Sequence, residues 1–462
     1  MNAVVSTQST YEPMKIRKVK WNDHPILGDL MLDLTDASTD SHYETIVFAG
    51  ENGSGKSTIL EVLSAFLNIG TFQYFEYIEY FADGGIHTAI PTSDNAAIQT
   101  FFDVKDSAGN VLKIRSDKNN NKQSIEQNKV DPRHYGCIIS KARADYKTKK
   151  ITATTTSALD KEKYDTDGSD DFTSLKQLVV DVVNQDNAEY ASINRNMGSN
   201  PKSWDDFYLE SKLFRFKSSF DQFFDNIAYD SVADHDGEKT ILFDKNGTTV
   251  VVDMLSTGEK QIVFRGIYLL KNSKMLHDAT VMIDEPELSM HPKWQRKIMQ
   301  YYRGLFTPEG VQNVQLFFAT HSDHVLKEAL LNRAKTIVIV LEENNGRTVA
   351  KKIDSPFVLP TITTAETTYL AFDLTSNDYH IELYGWIQDK ESKQTVKSCD
   401  EFIKQQSDYD ASLHSKPSSF GSTNYETLPT YIRNAIHHPD SGNEFTENEL
   451  RISTELLVSL CR

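Results

Sequence analysis

The sequence predicts an α/β protein: a mixed sheet carrying a phosphate-binding loop, an antiparallel β subdomain, a helical insertion and a small C-terminal helical domain. Three observations predict it. The apolar β-branched run Thr45–Phe48 leads into a glycine loop, and an apolar helical pattern follows the loop as far as Leu67. A second apolar run, Thr280–Ile283, ends in two carboxylates, Asp284 and Glu285. A third, Gln315–Ala319, ends at Thr320, His321 and Ser322. Buried strands whose last residues carry chemistry belong to open sheets with the ligand at the strand ends.

The loop itself reads Gly50-Glu51-Asn52-Gly53-Ser54-Gly55-Lys56-Ser57-Thr58. Gly50 and Gly55 allow backbone conformations that a side chain forbids, so successive N–H groups can point inward at phosphates. The helix that follows places the positive end of its dipole there. In this pattern Lys56 bridges the β- and γ-phosphates and Ser57 ligates Mg²⁺, which makes ATP and Mg²⁺ the expected cofactors. A chance glycine turn is the bland alternative, and the strand before and helix after the loop weigh against it.

The chain has 462 residues, enough for two or three domains, and a formal net charge of −17. So acidic a surface excludes a protein that wraps nucleic acid with all of itself. Any such contact is local or belongs to a partner. Cys137, Cys399 and Cys461 are scattered, with no zinc spacing and no disulfide framework. The first residues show no signal-peptide pattern and no apolar run reaches membrane-spanning length, so a cytoplasmic protein without a membrane contact is expected.

In chain order, residues 14–35 predict two short strands around a loop at Asn22–Pro25. Arg17 or Trp21 could touch a base there, or simply pack. The aromatic stretch 71–83 fits core or a partner face better than base stacking, since no basic residue interleaves it. Residues 96–116 predict a hairpin turning at Ser107–Asn110, followed by a polar loop opening at Asn119 and a strand at 135–140. Arg143 and Asp145 lie where a loop could return to a nucleotide. Residues 150–170 read as a polar excursion, and 171–194 with 203–228 as the helical insertion. Residues 240–252 predict a hairpin around Asn246-Gly247.

Ser256-Thr257-Gly258-Glu259 opens the apolar helix Ile262–Leu270. Ser256 and Glu259 make a capping box, so these residues start a helix whatever else they do. The position suggests more, because the acidic strand follows directly. Asp284, at that strand's end, is placed to coordinate Mg²⁺, and Glu285 to polarise an attacking water. Pro292 suits the first turn of a helix running to Tyr302. His321 is placed to donate to a γ-phosphate.

These blocks in this order resemble ABC-type ATPases: GENGSGKS the phosphate loop, LSTGEKQ the signature, VMIDEPELSMHP the acidic strand and D-loop, FFATHS the switch histidine. The DEPE-x-x-x-HP variant is similar to the RecF/OLD/SMC-like branch rather than to transporters. The resemblance implies a head over residues 14–345, with the insertion at about 171–228. It implies that Ser256, Thr257, Gly258 and Glu259 of one protomer complete the site of another. A homodimer of heads, and a higher homo-oligomer, follow from it.

After the head, residues 346–375 read as a connecting segment and 376–462 as a C-terminal helical domain. Relatives of the OLD type carry a Toprim nuclease here, but Asp408-Tyr409-Asp410 sits among polar residues and too little chain remains for that domain. Arg433-x₄-His438 resembles the motif of HEPN ribonucleases. A capped helix end, with Pro439 as the stop, accounts for the same residues. Phe445, Thr446 and Glu449 announce the start of the last helix. Tyr379, Tyr384 and Trp386 are candidate docking aromatics. The whole is similar to ATPases of bacterial anti-phage defence, the Septu ATPase PtuA first (also found with retrons) and the PARIS-system ATPase next. That implies an effector nuclease as partner, HNH type favoured over Toprim, with nucleic acid reached through it. A RecF-like DNA-maintenance ATPase and a self-contained ATPase–ribonuclease are the rival readings.

Overall fold

The computed structural model describes residues 14–92, 98–117, 121–143, 145–161, 163, 172–196, 201–307 and 311–462. The expected polar loop at Asn119 and the last part of the polar excursion before residue 171 lie outside the described residues, as does the N-terminal stretch before Met14. The chain forms two compact units. One takes in residues up to 48, 52–337 and 343–350, and the other 49–51, 338–342 and 351–462.

The first unit is built on strands Thr45–Ala49, Gln315–Thr320, Thr280–Asp284 and Cys137–Ser140, side by side in that order. Their residues are buried along the whole length, as apolar strands covered on both faces must be. The acidic strand runs parallel to both of its neighbours, with Asp284 opposite Ala319 and Ile283 opposite Ser140. Parallel register brings the chemistry-bearing strand ends to one edge. Helix Lys56–Ile69 packs on this sheet through Ile59, Leu60, Leu63, Phe66 and Leu67, all buried.

An antiparallel sheet joins strands Met31–Asp33, Lys15–Trp21, Phe75–Ala82, Gly85–Pro91, Phe102–Asp106 and Val111–Ile114. Its aromatics Phe75 and Phe102 pack with Phe72 and with Phe66 of helix Lys56–Ile69, ring on ring at 5.4–5.9 Å. Trp21 is fully buried, and Arg17 is buried between Asp40 and Glu79. Both therefore pack, and neither offers a face to a base. The insertion contains helices Phe172–Asn196, Trp204–Tyr208 and Phe214–Phe223. Its last helix ends at Phe223, short of the expected bound at 228, and a strand begins at Ile227. Ile227–His235 is a strand that pairs with Glu238–Lys245, which in turn pairs with Thr248–Val251. Ile227 and Tyr229 are buried there while Ala228 and Asp230 are exposed, a pattern of period two rather than 3.6.

The second unit is mainly helical, with helices Thr364–Phe372, Asn377–Lys390, Val396–Lys404, Leu428–His437 and Glu447–Cys461. It also contains a hairpin, Ser415–Phe420 with Thr423–Thr427, whose polar strands gave no hydrophobic alternation to read. Tyr379 and Tyr384 are not docking residues. Both are fully buried in a core with Leu383, Ile387, Cys399, Ile403 and Leu457, and Trp386 packs against its margin. The Glu366 carboxylate accepts the backbone N–H groups of Phe357, Val358 and Leu359 and ties the entry segment to its helix. Thr446 and Glu449 form the capping box, and Phe445 packs on the cluster containing Leu450. Together with the helical core, the mixed sheet and the antiparallel sheets, this is the α/β class that the sequence announces.

Candidate functional site

Asn52 and Gly53 lie exposed, while Ser54, Gly55 and Lys56 are buried beneath them. Gly55 sits at φ 94°, and a Cβ there would meet Thr348 Oγ1 at 2.7 Å and Leu27 Cδ2 at 2.9 Å. Glycine is thus required twice over, for conformation and for space. Thr348 Oγ1 donates to the Ser54 carbonyl at 3.1 Å and fixes the loop from its far side. The helix begins at Lys56, directly after the loop, so the N–H groups of its first turn face the loop's concavity. Ser57 and Thr58 are partly exposed on the first turn. Gly50 and Glu51, which open the motif, group with the second unit.

The acidic strand delivers its carboxylate to this turn. Ser57 Oγ donates to Asp284 Oδ1 at 3.0 Å, joining residues 227 positions apart. Burial raises the Asp284 carboxyl above the usual range against the Ser57 bond, and neighbouring Glu285 adds to the rise. A buried carboxylate beside a hydroxyl is a hard-oxygen donor pair, and it fits Mg²⁺. A cation there would offset the cost of the buried charge.

Glu285 adopts φ 43°, a left-handed conformation rare for a residue with a side chain. Three contacts hold it. Its N–H donates to the Ala319 carbonyl at 2.9 Å. Its carbonyl accepts from Arg265 Nη1 at 3.1 Å. The next carbonyl, that of Pro286, accepts from Gln261 Nε2 at 3.0 Å. The turn lifts the Glu285 carboxylate to 3.6 Å from His321 Nδ1. Glu287 is buried and accepts the Thr320 hydroxyl at 2.7 Å and the His321 N–H at 3.0 Å. It therefore sets the backbone that presents His321.

Ser256 caps helix Thr257–Leu270, and the capping box is complete. Ser256 and Thr257 stay exposed, while Gly258 and Glu259 are buried. Lys245 donates to both Glu259 oxygens, at 2.8 and 3.1 Å. Burial would raise the Glu259 carboxyl, but the Lys245 bond and the Ser256 N–H outweigh it and hold it low. A Cβ on Gly258 would meet the Ser289 carbonyl at 2.8 Å, so the helix start rests on the D-loop. His291 caps helix Pro292–Leu305, with Pro292 in its first turn.

In the second unit Arg433 lies inside helix Leu428–His437 and His438 is its C-cap. Arg433 Nη1 donates to Asn434 Oδ1 at 3.0 Å, and the His438 ring stacks on Phe420 at 4.2 Å.

Sequence reasoning missed Arg265, Glu287 and Thr348. Arg265 carried a signal: it is the lone charge in the apolar run Ile262–Leu270, and such a charge is buried only with partners. Its guanidinium donates to the carbonyls of Asp284, Glu285, Ser140 and Lys141. Glu287 stood in the DEPE-x-x-x-HP pattern but was given no role, and Thr348 gave no pattern to read.

The fold is of the α/β class, and the order of its motifs is similar to that of ABC-type P-loop heads. The family described as "AAA domain, putative AbiEii toxin, Type IV TA system" matches residues 138–327. The chain is 30% identical to "Retron Vc95 probable ATPase" of Vibrio cholerae serotype O1 biovar El Tor over 102 residues, 20% of this chain and 19% of that protein. It is 36% identical to "Retron Ec83 probable ATPase" of Escherichia coli over 94 residues, 18% of this chain and 16% of that protein. The matches thus span less than a fifth of these curated relatives. Among solved structures, the SMC head domain from Thermotoga maritima aligns over 74% of this chain and 99% of its own, at 11% identity and a TM-score of 0.36. RecF aligns over the same shares at 13% identity and a TM-score of 0.33. Among the described residues, no helix is long and apolar enough to cross a membrane.

Proposed function

We propose that the chain binds and hydrolyses ATP with Mg²⁺, and that the cycle controls a partner nuclease in anti-phage defence. The observation that carries the reading is the Ser57–Asp284 hydrogen bond at 3.0 Å, which joins the phosphate loop to the acidic strand. Ser57 and Asp284 would hold Mg²⁺, which when bound neutralises phosphate charge. Lys56 and the N–H groups from Gly50 to Thr58 bind and orient the phosphates. Glu285 takes a proton from water, and His321 donates to the γ-phosphate.

Ser256, Thr257, Gly258 and Glu259 act on the nucleotide of a second copy. The exposure of Ser256 and Thr257 at a helix N-terminus supports that reading. Two heads then close on ATP and reopen on hydrolysis, within a larger homo-oligomer. The likeness to two retron ATPases supports the defence setting. A Septu-type ATPase with an HNH partner is the specific form proposed, ahead of a PARIS-type ATPase with a Toprim partner. Arg433 is assigned to the body of its helix and His438 to the helix end, because ring stacking occupies His438.

The test of the site is ATP affinity and thermal melting of Lys56→Ala beside the wild type. Lost affinity with unchanged melting supports the reading, and unchanged affinity overturns it. The partner is tested by co-purification with the product of the neighbouring gene.

A further inference from the structure

A cavity of about 400 Å³ opens in the helical insertion, away from the phosphate loop in sequence and framed by helices Phe172–Asn196, Trp204–Tyr208 and Phe214–Phe223 and strand Ile227–His235. Trp204, Tyr208 and Tyr229 line it together with Asp186, Asp205 and Asp230. One cation, Lys217, also lines it, and its ammonium is bonded to Asp221. Aromatic faces carry negative potential and attract cations. Three carboxylates beside three aromatic rings therefore make a pocket for a positive group with an apolar stem.

The pocket is built in advance. Trp204 is 40% exposed, yet its ring is set by an edge contact with Tyr190 at 5.0 Å and a tilted one with Phe207 at 5.7 Å. Asp186 is buried and held by the N–H groups of Lys212 and Leu213, at 3.2 and 2.9 Å. The Lys212 ammonium bonds Glu189 at 2.9 Å and stands 3.8 Å from Asp186. The Tyr208 hydroxyl is buried and has no hydrogen-bond partner among the described residues, so its oxygen can accept from a donor. An ammonium has donors only and would satisfy that oxygen.

We infer that this pocket binds an alkylammonium or guanidinium group, presented by a lysine or arginine side chain of a protein or by a free polyamine. This site is independent of the ATP reading.

The test is ¹⁹F NMR on the full chain labelled with 5-fluorotryptophan, with the Trp204 signal assigned by its loss in Trp204→Phe. Butylammonium and agmatine are expected to shift that signal saturably, with dissociation constants in the millimolar range or below, while n-butanol does not. Tyr208→Phe and Asp230→Asn, tested separately, should each weaken binding by about three- to thirtyfold. Tighter binding of acetyl-Gly-Lys-Gly-amide than of spermidine assigns the site to protein side chains, and the reverse order to polyamines. Equal shifts from n-butanol, or no saturable shift with either cation, overturn the inference.

Discussion

The buried Arg265 guanidinium donates to the Glu285 carbonyl at 3.1 Å, and so ties the helix opened by Ser256 to the turn that bears the proposed base. The same guanidinium reaches the Asp284 carbonyl and, at 2.7 Å, that of Lys141. One side chain thus fixes the ends of two adjacent strands. Arg265→Met keeps the volume but leaves these carbonyls without donors. The expected loss of stability is about 2 kcal/mol or more, read by denaturant unfolding, with a larger fractional loss of ATP turnover than of ATP affinity. A variant with wild-type stability and turnover would show the clamp to be dispensable.

Gly258→Ala tests the contact between the helix start and the D-loop. The added methyl would press on the Ser289 carbonyl, which belongs to backbone and cannot swing aside. Ser289 itself sits at φ 59°, so the turn has little freedom to yield. ATP affinity should be retained and turnover should fall at least tenfold (about 1.4 kcal/mol). Equal losses of affinity and turnover would point to general unfolding instead, which melting would confirm.

Much of this was legible in the sequence, and the reasons differ by element. The phosphate loop, the acidic strand and the strand before His321 announce themselves because function fixes residue types at short spacing. The capping boxes at Ser256 and Thr446 were equally readable, being local hydrogen-bond patterns. Arg17 and Trp21 were ambiguous because burial depends on partners far away in the chain, here Asp40, Glu79 and Phe75. Tyr379 and Tyr384 looked like a surface only because their covering residues, such as Leu457, lie more than 70 positions on. Most of strand Ile227–His235 lies beyond the helical stretch read to residue 228, and only its first four residues alternate in burial, too short a pattern to announce a strand. Thr348, which supports Gly55, carries no motif at all.

Trans completion predicts complementation. A Lys56→Ala chain and a Ser256→Arg chain are each expected to be inactive. A mixed dimer retains one composite site with both halves intact. Partial recovery of ATPase activity is expected on mixing, under conditions of confirmed subunit exchange. No recovery would place the signature residues in the service of their own chain.

His380 predicts a pH dependence of the second unit. Its ring is buried, Nε2 lies 2.9 Å from Ser453 Oγ, and burial lowers its pKa to about 3. The unfolded chain binds a proton below about pH 6.5 that the folded one refuses. This contribution to stability is fully present above pH 6.5 and is lost as pH falls toward 3. Between pH 7 and pH 5 the loss is about 2 kcal/mol. His380→Gln should flatten the profile over that window, measured by denaturant unfolding. An unchanged slope would contradict the assignment.

The most direct measurement is single-turnover hydrolysis of ATP by Glu285→Gln beside the wild type, with ATP affinity measured on both. The substitution keeps the shape of the side chain and removes its basicity. The account predicts unchanged affinity, turnover slower by about 10²–10⁴ and accumulation of an ATP-bound dimer. Turnover within about twofold of the wild type at equal affinity would contradict it, since a positioned base is worth far more than that.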